Sequence, residues 1–304
     1  MKAKAENQWP FVQIKPFLNY LVSECGLSTN TIMAYGRDLD RFGQFCQQEH
    51  VTDAISLTPV DVQGFARHLS KESLASSSIA RHLVTLRMFL RFHLLSGLTQ
   101  TDMISMLEMP KTWRRLPQVL SRGRTSELIE AVARESHYYL RDRALLELLY
   151  ATGMRASEAA DLKLKDVNFQ IGYLRCIGKG RKERIIPVHE QALQLLKEYL
   201  QQLRPKLLGE KQCEHVFISR TGRTLSRIEI WRIVRKAAVT AGMKGKVTPH
   251  TLRHCFGTHL LQGGADLRSV QEMLGHADVA TTQIYTHVDQ EHLRNIHKKY
   301  HPRP

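Results

Sequence analysis

Over the first hundred residues, polar breaks separate apolar stripes at helical spacing. Phe11, Ile14, Phe17, Leu18, Leu21 and Val22 form one stripe, and Gly26 supplies a stop. Ser28 is placed to cap a second helix that carries Ile32, Tyr35, Leu39, Phe42 and Phe45 inward. Thr58-Pro59 reads as an N-cap followed by proline at the first helical position, with Val60, Phe65, Ala66 and Leu69 behind it. Ser76 to Ser78 opens a fourth helix, with Ile79, Leu83, Leu86 and Leu90 inward and Gly97 at its end. Four amphipathic helices with short loops predict a small helical domain over 1–108.

The periodicity then fails. In residues 109–123 two prolines bracket Lys111, Arg114 and Arg115, which predicts an extended basic linker. The remainder, 124–304, reads as mixed. An apolar helix runs from Leu140 to Ala151 and stops at Gly153. Two strands, Tyr173 to Ile177 and Arg184 to Val188, form a hairpin around Gly178-Lys179-Gly180-Arg181-Lys182-Glu183. Helical patterns follow at 190–203, 225–241, 251–262 and 266–274, and a last helix carries Leu293 and Ile296. The expected fold class is mainly α with a small β-hairpin or sheet (α+β).

Charge changes the picture. Residues 1–110 hold equal numbers of basic and acidic residues, so the whole formal charge of +15 falls on residues 111–304. Such a surface suits a polyanion, nucleic acid first, although a merely solvated basic surface has the same composition. The fourth helix offers Arg81, His82, Arg87 and Arg91 on its polar face, either for phosphates or for solvent. No apolar run approaches the roughly 18–20 residues of a membrane span, and residues 1–7 have no apolar h-region. The five cysteines, scattered and odd in number, fit reduced thiols in the cytoplasm.

Four segments gather polar residues where apolar patterning breaks. Arg155 opens a helix just after a glycine stop, where its fork could bind a phosphate or pair with Glu158. The hairpin turn presents Lys179, Arg181 and Lys182. His250, Arg253 and His254 share one helix face. The two histidines are spaced like zinc ligands, but Thr251 stands where the metalloprotease pattern has Glu, and Arg253 would repel a cation; no metal is expected. Finally His276 precedes Tyr285 in a polar stretch. Two arginines, histidines, a lysine and a tyrosine without a carboxylate cluster suit metal-free phosphoryl transfer, and the absence of a phosphate-binding Gly-rich loop leaves ATP unneeded; no cofactor is expected.

In this order the residues resemble the tyrosine recombinase (lambda-integrase-like) family: Arg155, Lys179, His250-x-x-Arg253, His276 and Tyr285, inside the words Ala-Thr-Gly-Met-Arg-Ala-Ser-Glu, Ile-Gly-Lys-Gly-Arg-Lys-Glu-Arg, Pro-His-Thr-Leu-Arg-His and Leu-Gly-His-Ala-Asp-Val-Ala-Thr-Thr-Gln-Ile-Tyr. Within it the chain is similar to the bacterial Xer recombinases, and Ile296-His297 leans to the XerD side over the XerC side. The resemblance covers the full chain. It implies an N-terminal helical core-binding (SAM-like) domain and a C-terminal DNA breaking-rejoining domain.

It also implies roles. Tyr285 would attack a DNA phosphodiester and form a 3′-phosphotyrosyl bond. Arg155, Arg253 and His276 would hold the non-bridging oxygens, His250 would take the tyrosine proton, and Lys179 would protonate the leaving 5′-oxygen. Glu158 would orient this shell, and Arg81, Arg87, Arg91, Lys111, Arg114, Arg115, Arg181 and Lys182 would touch DNA. Four protomers would act on two sites, as a heterotetramer with a sister Xer recombinase or as a homotetramer, with residues 289–299 docking on a neighbour unless Leu293 and Ile296 fold back in cis. The implied biology is chromosome-dimer resolution at a dif-like site with an FtsK-like translocase. A mobile-element integrase, a non-catalytic DNA-binding protein of the same fold and a zinc hydrolase are the competing readings.

Overall fold

The computed structural model describes residues 10–25, 27–53, 56–99, 119–178, 183–245, 247–275 and 287–303. The chain divides into two compact units, Met1–Arg115 and Leu116–Pro304. Among the described residues no helix is long and apolar enough to cross a membrane.

In the first unit, helices α1 (Phe11–Ser23), α2 (Thr29–Gln48), α3 (Pro59–Lys71) and α4 (Ser76–Leu95) follow the predicted order. The caps are the ones the sequence offers. The Ser28 hydroxyl accepts from the Thr31 N–H, and Thr58 and Asp61 form a reciprocal capping box ahead of Pro59. The core is aromatic, with Phe17 edge-on to Phe89 at 5.3 Å and Phe42 edge-on to Phe65 at 5.1 Å. Val22 and Val60, read as inward, are exposed instead. Val60 lies five and nine residues before Phe65 and Leu69, so at about 3.6 residues per turn it points away from them, and Val62 takes the inward place in the first turn of α3.

The basic face of α4 also needs correction. His82 is buried, with Nδ1 2.8 Å from the Ser78 carbonyl and Nε2 3.2 Å from Asp38. Arg81 donates to the same Asp38 at 2.6 Å, and the Thr85 hydroxyl donates to it at 2.9 Å. Asp38 is 3% exposed, so these three donors on α4 satisfy a buried carboxylate on α2. Arg87 and Arg91 remain exposed.

The second unit contains α5 (Arg122–Glu130), α6 (Tyr139–Thr152), α7 (Ala156–Asp161), β1 (Val167–Asn168), β2 (Tyr173–Ile177), β3 (Glu183–Pro187), α8 (Glu190–Glu198), α9 (Arg204–Leu208), α10 (Arg227–Thr240), α11 (Pro249–Gly263), α12 (Leu267–Leu274) and α13 (His287–Tyr300). Arg122 and Gly123, read as linker, belong to α5. A five-residue π-helical turn, Tyr199–Leu203, joins α8 to α9, so the helix pattern continues past residue 203. The strands form an antiparallel sheet in the order β1-β2-β3, with Leu174 opposite Ile186 and Cys176 opposite Arg184. The two-residue β1 is too short to leave a periodic signal.

Helix α6 is buried on nearly every side and lies in the core, among Phe217, Phe256 and Met273. Leu293 of α13 is 2% exposed in that same core, and Ile296 and Tyr300 pack against it. The apolar stripe of α13 therefore folds back in cis.

The end of the chain carries an uncommon polar cluster. His189, His297 and His301 stack, with ring centroids 4.7–6.2 Å apart. His297 donates from Nε2 to the Ala151 carbonyl at 2.7 Å, and Arg303 Nε lies 3.1 Å from the fully buried carboxylate of Glu147. Burial, then charge from His297 and Arg303, lowers the His189 pKa to about 3. Burial lowers that of His297 to about 4.

Both histidines are thus neutral when folded and regain an ordinary pKa of about 6.5 when unfolded. The unfolded chain binds more protons in between, so stability falls as pH drops from about 6.5 toward those lower values, by up to about 1.4 kcal/mol per pH unit for each ring. Thermal melting of the full chain between pH 7.5 and pH 4.5 should show this decline. His297→Gln should make it shallower, and an unchanged slope would remove His297 as its source. The Glu158 carboxyl, held at about 2, contributes only below its ordinary value of 4.5 and does not obscure this window.

Candidate active site

The residues that carry the proposed chemistry sit where helices end and begin. Helix α6 stops at Gly153, whose φ of 60° is left-handed. A Cβ there would lie 2.5 Å from Phe256 Cδ1 and 2.9 Å from Leu274 Cδ2, so both conformation and space require glycine. Two residues later Arg155 is the N-cap of α7. Its backbone N–H donates to Glu158 Oε2 at 2.7 Å, and its Nη1 donates to Oε1 at 2.8 Å. Arg155 Nη2 faces the Gly275 carbonyl at 3.5 Å, and the side chain remains 37% exposed.

Arg253 approaches the same point from α11, a helix begun by a Thr248–Thr251 capping box and by Pro249. Its Nη1 donates to the Gly153 carbonyl at 2.7 Å and its Nη2 to the Leu274 carbonyl at 2.6 Å. The two arginines therefore rest on consecutive carbonyls, Leu274 and Gly275, just ahead of His276. Burial, then repulsion from Arg155 and Arg184, lowers the Arg253 pKa to about 10, which leaves it charged at neutral pH. His250 lies one turn before Arg253 and is exposed.

Glu158, 7% exposed, serves a further arginine. Arg184 on β3 donates from Nη1 to Oε1 at 2.9 Å and from Nη2 to Oε2 at 2.7 Å. Burial pushes the Glu158 carboxyl up, but the hydrogen bonds and charge of Arg184, then those of Arg155, outweigh it and hold the pKa at about 2. Two guanidinium groups thus share one carboxylate, and the charge of Arg253 lies close enough to feel all three. Such a group attracts an anion, and two planar forks side by side suit the oxygens of a phosphate.

The structure brings Arg155, Glu158 and Arg253 together, with His250 on the same helix as Arg253. Lys179, Arg181, Lys182, His276 and Tyr285 lie outside the described residues, as do Lys111, Arg114 and Arg115. In the sequence, Lys179 falls between β2 and β3, His276 follows Gly275, and Tyr285 stands two residues before α13. Arg81 is half-exposed but committed to Asp38. Among the described residues no three His, Cys, Asp or Glu side chains gather as a metal-binding group.

The sequence reading overlooked Arg184. The available signal was a charge on the inward register of a strand, since Arg184 and Ile186 alternate with Glu183 and Ile185 and share the buried face.

Residues 118–292 match the family described as Phage integrase family, and residues 14–97 match Phage integrase, N-terminal SAM-like domain. The chain is 42% identical over 291 residues to Tyrosine recombinase XerD of Halalkalibacterium halodurans, covering 95% of this chain and 97% of that one. It is 43% identical over 292 residues to Tyrosine recombinase XerD of Listeria innocua, covering 95% and 98%. Among solved structures, XerH site-specific recombinase bound to palindromic difH substrate, a post-cleavage complex, has 25% identity and a TM-score of 0.65, covering 87% of this chain and 78% of that one.

Proposed function

Since this chain belongs to the phage integrase family, as a XerD-like site-specific tyrosine recombinase that cuts and rejoins DNA, we propose that Tyr285 is its nucleophile and that Arg155, Arg253, His276, His250 and Lys179 serve it. The observation that carries this reading is the pair of arginine forks anchored on the Leu274 and Gly275 carbonyls, directly before His276.

A tyrosine hydroxyl, with an ordinary pKa of about 10, is protonated at neutral pH and needs a base. His250 takes that proton as Tyr285 Oη attacks phosphorus. Arg155, Arg253 and His276 neutralise charge growing on the non-bridging oxygens. The bond from phosphorus to the 5′-oxygen breaks, and Lys179 gives that oxygen its proton. The product is a 3′-phosphotyrosyl link and a free 5′-hydroxyl. One phosphoester replaces another, so attack by a 5′-hydroxyl restores the DNA without ATP.

Duplex DNA carrying a dif-like site is the substrate, and resolution of chromosome dimers is the role. Four protomers synapse two sites, with a sister Xer recombinase or as a homotetramer, under the control of an FtsK-like translocase in the cytoplasm. Arg87 and Arg91, exposed on α4, and the basic segments at Lys111, Arg114, Arg115, Arg181 and Lys182 contact phosphates. Arg81 contributes there only with the part of its fork that Asp38 leaves free.

The test is a nicked duplex with a dif-like core, incubated with the protein in EDTA and resolved in SDS. A protein–DNA adduct is expected. Retained binding without an adduct, even with a sister recombinase and a translocase added, would favour the non-catalytic reading. A related expectation concerns salt. Because the charge of +15 falls on the second unit and its linker, binding should weaken steeply with ionic strength, each neutralised phosphate adding about −0.9 to the slope of log affinity against log salt. A flat plot would contradict phosphate contacts.

A further inference from the structure

We propose that Arg184 is a positioning residue for cleavage, holding Glu158 so that the Arg155 fork stays free for the scissile phosphate. This rests on the assignment of Arg155 to that phosphate.

Three observations support it. Arg184 is 5% exposed and grips both Glu158 oxygens at once, with the bidentate geometry of a fixed fork. Its Nε donates to the Met273 carbonyl at 2.9 Å. Finally, a Cβ on Gly275, at φ 66°, would lie 2.9 Å from Arg184 Cδ, so the turn before His276 rests directly on this side chain. One residue therefore ties together α7, β3 and the end of α12.

Stability gives little reason to keep such a group. Apolar residues of similar volume often stabilise as well as a buried ion pair does. What the pair supplies is orientation. With Arg184 on both oxygens, Glu158 takes one side-chain N–H from Arg155, through Nη1, and one backbone N–H. A guanidinium has five N–H donors, so most of Arg155's remain for a ligand. Without Arg184, Glu158 would have Arg155 as its one remaining ion-pair partner among the described residues, and the fork would turn inward, away from the phosphate.

The test compares wild type, Arg184→Met, Arg184→Lys and Arg155→Ala in the full-length protein. Each is measured for DNA affinity and for single-turnover adduct formation on two nicked duplexes. One carries an ordinary scissile phosphate and the other a methylphosphonate, which lacks one non-bridging charge. Arg184→Met should bind DNA like wild type and form adduct about a hundredfold more slowly on the phosphate, the usual cost of a small misplacement. On the methylphosphonate its deficit should shrink, together with that of Arg155→Ala, because less charge awaits the arginine. A structural defect would cost the same factor on both substrates.

Equal deficits on both, or wild-type rates for Arg184→Met, would overturn the proposal. Arg184→Lys keeps the charge and loses the double fork. It should show a smaller deficit with the same relief, and it decides the matter if Arg184→Met melts below the assay temperature. Wild-type cleavage by Arg155→Ala would instead overturn the reading on which the proposal rests.

Discussion

Tyr285→Phe should bind its DNA site and form no covalent adduct. The substitution deletes one oxygen and keeps the ring, so affinity should stay within about fivefold, the worth of one hydrogen bond of about 1 kcal/mol. Cleavage has no such margin. The phenolic oxygen is the atom that replaces the 5′-oxygen on phosphorus, and losing a nucleophile costs on the order of 10⁶-fold in comparable covalent mechanisms. The measurement is the SDS-resistant adduct on nicked duplex, with binding followed in parallel. Adduct at the wild-type rate would show that another group attacks and would remove Tyr285 from the mechanism.

Arg155→Ala should leave binding nearly intact and slow adduct formation by about a thousandfold, the upper range for one lost oxyanion donor. The fold should tolerate the change. Arg155 is 37% exposed, and Glu158 keeps both hydrogen bonds from Arg184. Arg253→Ala would be a less clean test, because its fork also holds the Gly153 and Leu274 carbonyls. Arg155→Lys should recover only part of the rate, since an ammonium is a point charge without a fork. Near-normal cleavage by Arg155→Ala, with folding verified by melting, would take Arg155 out of the site.

How far the sequence could be read depended on how far apart the interacting residues stand. Ser28, Thr58-Pro59 and Gly153 act on their immediate neighbours, so the starts of α2 and α3 and the end of α6 were legible. Arg155 and Glu158 are three residues apart, and both the ion pair and the exposed fork expected of them are present together. The errors arose where a partner is distant. Arg81 and His82 read as an open basic face because Asp38 lies more than forty residues earlier. Arg184 escaped notice because Glu158 is 26 residues away, and its place on the inward register of β3 was the one local mark it left. His189 stands more than a hundred residues before His297 and His301, and nothing local in the sequence shows that the fold stacks them. Val60 failed for a different reason: at about 3.6 residues per turn it falls opposite Phe65 and Leu69, and Val62 is the first-turn residue that shares their face.

The buried Asp38 also bears on inheritance. Its carboxylate is met by Arg81, His82 and Thr85, all supplied by a single helix. Leaving a buried carboxylate without its arginine is costly, although the half-exposed Arg81 softens the loss, whereas exchanging both for apolar residues can be neutral. A lineage that loses Asp38 alone strands a buried histidine beside an arginine; one that loses Arg81 alone leaves the acid with its two weaker donors. The two codons are therefore yoked. Descendants should either keep the acid with its arginine or have replaced both, with few intermediates surviving between.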